Sequence, residues 1–397
     1  MAFGIPIIVT LIGNIILNRL IPDGSWLPKV PPATVDMHRV RIWAGSTDDL
    51  PNKNLLSIAG NLPGVVLYDD FGQIIGEDYY DGWNVPEGNF RDIEVHGKDR
   101  NNARAAYIRL DAWKGDAICI AGISITYPDG GQSVLYGDTM TKLCGWPFYP
   151  SLTDFPLPGV GPTGYKPWCF WMDGNNKAFP KSVHFHIPDF HANNVTVNAY
   201  NNNRDLLCKS QGRMGTMPSV PNSIPIFNPP LTYDPNATGL NGAPADPPTY
   251  VNPQVVLDEY ITSWPQSVTR SYDDRKRRRS RRASADAGRD EFQGKFVVSN
   301  SEDPGFSAKY ACETGNLYGP HFVNSFERKF CKTDDHTVWD FCENNSTSDR
   351  FDIDAQILWG TFSSGDADSL GIASTQAATS NQVLTLDTRI DMNSKTE

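Results

Sequence analysis

Between residues 30 and 215 apolar and polar positions alternate in short runs and never settle into a helical period. Val40 to Trp43, Val65 to Tyr68, Ile74 to Ile75, Tyr107 to Leu110, Ile118 to Tyr127 and Ser133 to Tyr136 are brief apolar or β-branched stretches. Turn formers separate them. Asp69-Asp70-Phe71-Gly72 follows one run and Pro128-Asp129-Gly130-Gly131 another, residues suited to reversing a chain because Gly accepts positive φ and Asp bonds its own backbone. In Ile123-Ser124-Ile125-Thr126-Tyr127 the alternation is strict, which predicts a strand with one face in a core and one in water. No window of this region shows a sustained 3.6-residue repeat. The pattern therefore predicts a mainly β molecule whose N-terminal domain, residues 30–215, is an antiparallel, jelly-roll-like β-sandwich.

Ten of the thirty prolines lie between Pro218 and Pro253. Proline cannot donate to a sheet ladder and restricts its predecessor, so residues 216–254 read as an extended connector or a surface-hugging loop. Residues 255–289 follow with one helix candidate, PQVVLDEYITSW from Pro253 to Trp264, and then a basic run. A small Cys-containing C-terminal module is expected over residues 290–360, and the Ser/Thr/Ala-rich residues 361–397 read as a mostly disordered tail. There is no internal repeat.

Charge changes the picture at one place. The chain has 35 Lys and Arg against 46 Asp and Glu, and without the seven basic residues of Arg275 to Arg282 the net charge falls from −11 to about −18. A nucleic-acid binder spreads positive charge over a face and interleaves aromatic rings, so no nucleic-acid partner is expected. Arg279-Ser280-Arg281-Arg282 before the small residue Ala283 fits the Arg-x-Arg-Arg pattern cut by furin and kexin proteases. A nuclear-import patch and an uncut basic loop are the competing readings.

Secretion is the compartment that such a cut requires. Within residues 1–22, Phe3 to Leu17 is almost wholly apolar, the length of a signal-peptide core and short of the roughly 20 residues that span a bilayer, so no stable membrane span is expected. It lacks a preceding Lys or Arg and a following Ala-x-Ala site, which leaves a signal anchor or a buried strand as alternatives. Seven cysteines contain no Cys-x-x-Cys pair, so a zinc knuckle has no support. Cys119, Cys144, Cys169 and Cys208 precede the proline-rich stretch and are enough for two bridges. Cys312, Cys331 and Cys342 follow it and leave one odd thiol. Asn194, Asn236, Asn344 and Asn345 head Asn-x-Ser/Thr sequons, as expected for a secreted glycoprotein.

The segment DAICIAGISITYPDGGQSVLYGDTMTKLCG, Asp116 to Gly145, resembles a family of uncharacterised secreted proteins of filamentous ascomycete fungi. GYKPWCFWMD (Gly164 to Asp173), FHIPDF (Phe185 to Phe190), GPHFVNSFERKFC (Gly319 to Cys331) and Trp339 to Cys342 extend the likeness in patches. The resemblance implies an extracellular fungal protein and no established activity. In that pattern a further Cys precedes the last Phe-Asp, where this chain has Arg350 before Phe351-Asp352. On that resemblance the departure would explain the odd cysteine count, and it leaves the partner of Cys342 or Cys331 open.

Candidate chemistry is sparse. His184-Phe185-His186 sets two imidazoles two residues apart on a strand, with Asp189 and His191 close behind, a spacing that resembles the His-x-His of metal-binding cupins. A divalent metal is the one cofactor this suggests; an exposed strand face ending at Pro188 is the simpler reading. Asp129 and Asp138 are expected to be turn and surface acids rather than a glycosidase pair. The chain has no Gly-x-Ser-x-Gly elbow, P-loop or His-Glu-x-x-His motif, so no catalytic residue is assigned. Trp146, Phe148, Tyr149, Phe155, Tyr165, Trp168, Phe170 and Trp171 concentrate in one proline-rich stretch. Trp146, Trp168 and Trp171, with Asp173 beside them, either present flat faces to sugar rings of cell-wall or host glycans or close one end of the sandwich around a disulfide. Two functional classes follow: a non-enzymatic glycan-binding or effector- or toxin-like precursor matured by a processing protease, and a secreted metal-dependent enzyme or hydrolase using His184, His186 and His191.

Overall fold

The computed structural model describes residues 37–47, 58–97, 104–155, 165–175, 179–190, 199–231, 233–234, 249–250, 292, 295–342, 350–354, 357–360, 382–385 and 388–392. Each of the six apolar runs in the N-terminal region is a strand. Two antiparallel sheets face each other. The first runs Phe148–Tyr149, Cys169–Met172, Ile118–Thr126, Met37–Ala44, Phe90–His96, with Gln132–Tyr136 also paired to Ile118–Thr126. The second runs Met214–Met217, Ser182–His186, Tyr107–Asp111, Gly64–Tyr68, Ile74–Asp78.

Alternate residues of the two sheets meet. Val40, Ile42, Ile123 and Ile125 from the first, and Val65, Leu67, Ile108, Leu110, Val183 and Phe185 from the second, are all fully buried in one cluster. At about 1.5–3 kcal/mol for each large aliphatic side chain removed from water, this face-to-face cluster is the chief stabilising element of the N-terminal part. The turns match their residues: Gly72 and Gly130 hold φ of +76° and +87°, and Asp69 Oδ1 accepts from the N–H groups of Phe71 and Gln73.

One expectation about this sheet is corrected. The strand Ile118–Thr126 has no wet face; all nine residues are buried. It is the central strand, flanked by Met37–Ala44 on one edge and Gln132–Tyr136 on the other. Ser124 and Thr126 lie opposite Arg41 and Arg39, and Gln132 donates to the Thr126 hydroxyl. Long neighbouring side chains thus cover polar positions that alternation alone assigns to water.

The C-terminal sheet has eight strands in the order Gln382–Thr385, Ile357–Gly360, Arg350–Asp352, Thr337–Phe341, Lys329–Lys332, His321–Asn324, Lys295–Ser299, Thr388–Met392. Lys295–Ser299 and His321–Asn324 are parallel, and the crossover between them carries the helix Ala308–Glu313, as a parallel pair requires. The Ser307 side chain caps that helix by accepting from Tyr310 N–H, and Cys312–Cys331 ties it to the sheet. The reading of residues 361–397 as a disordered tail is corrected at Gln382–Thr385 and Thr388–Met392, which are the two edge strands. Backbone pairing supplied by the existing sheet edges decides there, against a composition poor in long apolar runs.

The start of the proline-rich stretch hugs the sandwich. Pro221 carbonyl accepts from Arg109 at 2.8 Å and Phe227 N–H donates to the Tyr107 hydroxyl at 3.0 Å, so residues 217–227, Ile224 among them, cover the outer face of the second sheet. The apolar segment of residues 1–22, the helix candidate Pro253 to Trp264, the processing residues Arg279, Arg281, Arg282 and Ala283, and the sequons at Asn194, Asn236, Asn344 and Asn345 lie outside the described residues.

Candidate functional site

The aromatic stretch forms a seam between the sandwich and the C-terminal sheet. Strand Cys169–Met172 pairs with Ile118–Thr126 so that Trp171 lies opposite Cys119, and Cys119–Cys169 bridges the two strands. This register turns Cys169 and Trp171 away from the inner core, toward the C-terminal part. There Trp43, Cys119, Tyr136, Phe148, Tyr149, Trp168 and Trp171 form one apolar cluster with Val297, Phe306, Ala311, Leu317 and Phe322.

Trp168 and Trp171 are 1% and 2% exposed. The indole N–H of Trp168 donates to the Gly305 carbonyl at 2.6 Å, and that of Trp171 to the Tyr318 carbonyl at 2.9 Å. Phe148 stacks parallel on Trp168 with centroids 4.1 Å apart, and Phe148 exchanges backbone hydrogen bonds with Asn316 and Tyr318. Trp146 faces inward and packs on Phe170 and Phe185. Asp173 is buried and accepts from Asn175 N–H. The reading of Trp146, Trp168 and Trp171, with Asp173 beside them, as a sugar-stacking platform is therefore corrected, because protein encloses the three indoles and the carboxylate alike. What the stretch builds is a packed interface around a disulfide.

Beside this seam sits a buried charge. Asp138 is fully buried, which corrects its reading as a surface acid. It accepts from Lys142 Nζ at 2.9 Å, from Trp168 N–H at 2.6 Å and from the Tyr165 hydroxyl. Burial first, then the Asp138 charge, pushes the Tyr165 hydroxyl well above its ordinary pKa. Asp129 is a turn acid paired with Arg104 at 2.5 Å. The two acids are thus in different environments.

The histidine strand is also enclosed. All five residues of Ser182–His186 are buried, which corrects the exposed-face reading; Met214–Met217 pairs along one edge, and Gln211 and Phe227 lie against His184 and His186. His184 Nε2 bonds the Gln211 carbonyl at 2.8 Å, its Nδ1 has no partner, and burial lowers its pKa to about 4. His186 Nδ1 bonds Asp189 at 2.8 Å, and Asp189 also accepts from Tyr200 at 2.5 Å and Arg213 at 3.0 Å. Burial acts to raise the Asp189 pKa, but Arg213 and then His186 hold the carboxyl below its usual range. Such a fully bonded cluster orders a core, because losing one partner leaves a buried charge uncompensated. The two imidazoles address different groups, and among the described residues no three His, Cys, Asp or Glu side chains are grouped to hold a metal ion. His191 lies outside the described residues.

Three disulfides fall as Cys119–Cys169, Cys144–Cys208 and Cys312–Cys331, and Cys342 is a free thiol. None of the three crosses the arginine run. Sequence reasoning missed Gly305, Tyr310, Tyr318 and Gly319, which supply the far side of the seam. The one signal for them is Gly319 itself, whose φ of +129° and close approach to the Tyr149 ring exclude a side chain. Comparison with protein-family models and with curated proteins finds no match to this chain.

Proposed function

We propose that this chain is a secreted, disulfide-bonded precursor, related to the secreted ascomycete proteins it resembles, which a kexin-type protease cuts after Arg282. The product acts by binding, as a glycan-binding or effector- or toxin-like protein. Disulfides of this number fit an oxidising compartment, and among the described residues no helix is long and apolar enough to cross a membrane.

The observation that carries the proposal is the combination of a continuous apolar seam with bridges confined to either side of the arginine run. After a cut between Arg282 and Ala283 the Trp168–Gly305 and Trp171–Tyr318 hydrogen bonds join two polypeptides, and with the packing of the seam they keep the pieces associated. Intact-mass analysis of the protein secreted by its own host tests this. The expected product has a C-terminal fragment beginning at Ala283 that co-elutes with the N-terminal fragment in native buffer and separates in denaturant without reductant. An uncut native product would overturn the processing, and fragments joined by a disulfide would overturn the pairing.

A further inference from the structure

We propose that the shallow pocket beside Trp83 is a binding site for a β-linked pyranose oligosaccharide. The inference rests on the glycan-binding branch of the reading above and gives it a location outside the aromatic stretch of residues 146–171. The pocket measures about 510 Å³ and is lined by Gly82, Trp83, Asn84, Pro86 and Arg91.

Trp83 is 48% exposed, the most open tryptophan among those whose burial is described. Its ring is held rather than loose. Tyr80 stacks on it at 4.9 Å and 29°, and the Trp83 carbonyl accepts from Leu62 N–H at 2.9 Å. The next two residues pair in register with Gly60 and Asn61, and Val85 is fully buried in the core between the sheets. The indole is thus a pre-set surface that loses little freedom when covered, which favours binding.

Polar groups converge on it. Arg91, on the edge strand Phe90–His96, spends its Nε on the Asn84 carbonyl at 3.1 Å and stands 6.0 Å from the Trp83 ring centroid. Its two terminal nitrogens donate to nothing among the described residues. Asn84 Oδ1 accepts from Asn61 Nδ2 at 2.7 Å, which fixes the amide so that its nitrogen is left as a donor. Gly82 has φ +74° and nothing within 4 Å of where a Cβ would stand, so one side of the pocket is open.

A flat apolar ring flanked by two or three unspent donors complements a ligand with one apolar face and a rim of hydroxyl acceptors. A pyranose with equatorial substituents has that form: axial C–H groups on the ring face and hydroxyls at the edge.

The test is calorimetric titration of the full chain with cellohexaose, laminarihexaose and chitohexaose. At least one is expected to bind with a dissociation constant below 1 mM. Trp83→Ala is expected to weaken that binding at least tenfold, Trp83→Phe less, and Arg91→Ala severalfold, at unchanged melting temperature. Phe71→Ala, which removes a 69% exposed ring on a different hairpin, is expected to leave it unchanged. A hexasaccharide bound equally well by Trp83→Ala would overturn the site and leave the glycan-binding reading standing. Binding of none of the three would overturn both.

Discussion

At the scale of single residues, burial sets the chemistry of the groups that are most easily mistaken for a site. His184 titrates near 4 because its enclosed ring resists charging. The sign follows from proton counting. Between about pH 4 and 6.5 the unfolded chain binds a proton at this residue that the folded chain does not, so stability falls as pH drops through that window, by up to about 3 kcal/mol. Burial also lowers the pKa of His321 and His336, which act in the same direction. Urea unfolding at pH 4.5 and pH 7 is expected to show this loss, with a smaller slope in His184→Gln; an unchanged slope would count against the assignment. Cysteine gives a second expectation. Denatured, unreduced protein is expected to titrate as one thiol per chain, that of Cys342, and reduced protein as seven. The odd count is visible in the sequence, but the pairing depends on which strands become neighbours.

At the scale of elements, the strands of the sandwich are legible because a period of two is a local property. The enclosing of the strand Ile118–Thr126 and of Ser182–His186 is not, because it depends on chain that arrives from elsewhere: flanking strands in one case, Gln211 and Phe227 in the other. The seam supplies the mutational tests. Trp171→Ala removes a buried ring and the Tyr318 hydrogen bond, and is expected to cost about 3–5 kcal/mol in denaturant unfolding. Gly319→Ala forces a Cβ to within 2.8 Å of the Tyr149 ring at a φ of +129°, with an expected loss of about 1–3 kcal/mol. Either variant unfolding at the wild-type midpoint would show that the seam is not tightly packed.

At the scale of the whole molecule, the apolar seam couples the C-terminal sheet to the sandwich, so the uncut chain is expected to unfold in one calorimetric transition. After the cut, the melting temperature should rise with protein concentration, since two chains must then meet. Two well-separated transitions in the uncut chain would sink the coupling. By itself the sequence determined the local features: short β-strands, their turns, the odd cysteine and the arginine run, each written in a few consecutive residues. Only the tertiary structure decided which aromatic rings are covered. Trp168 and Trp171 look available in a proline-rich stretch, yet they are buried by residues 305–322, far away along the chain. Trp83 is inconspicuous in sequence, yet it is left half open at a sheet edge. Exposure is set by long-range packing, and no local pattern records which distant segment will pack against a given ring.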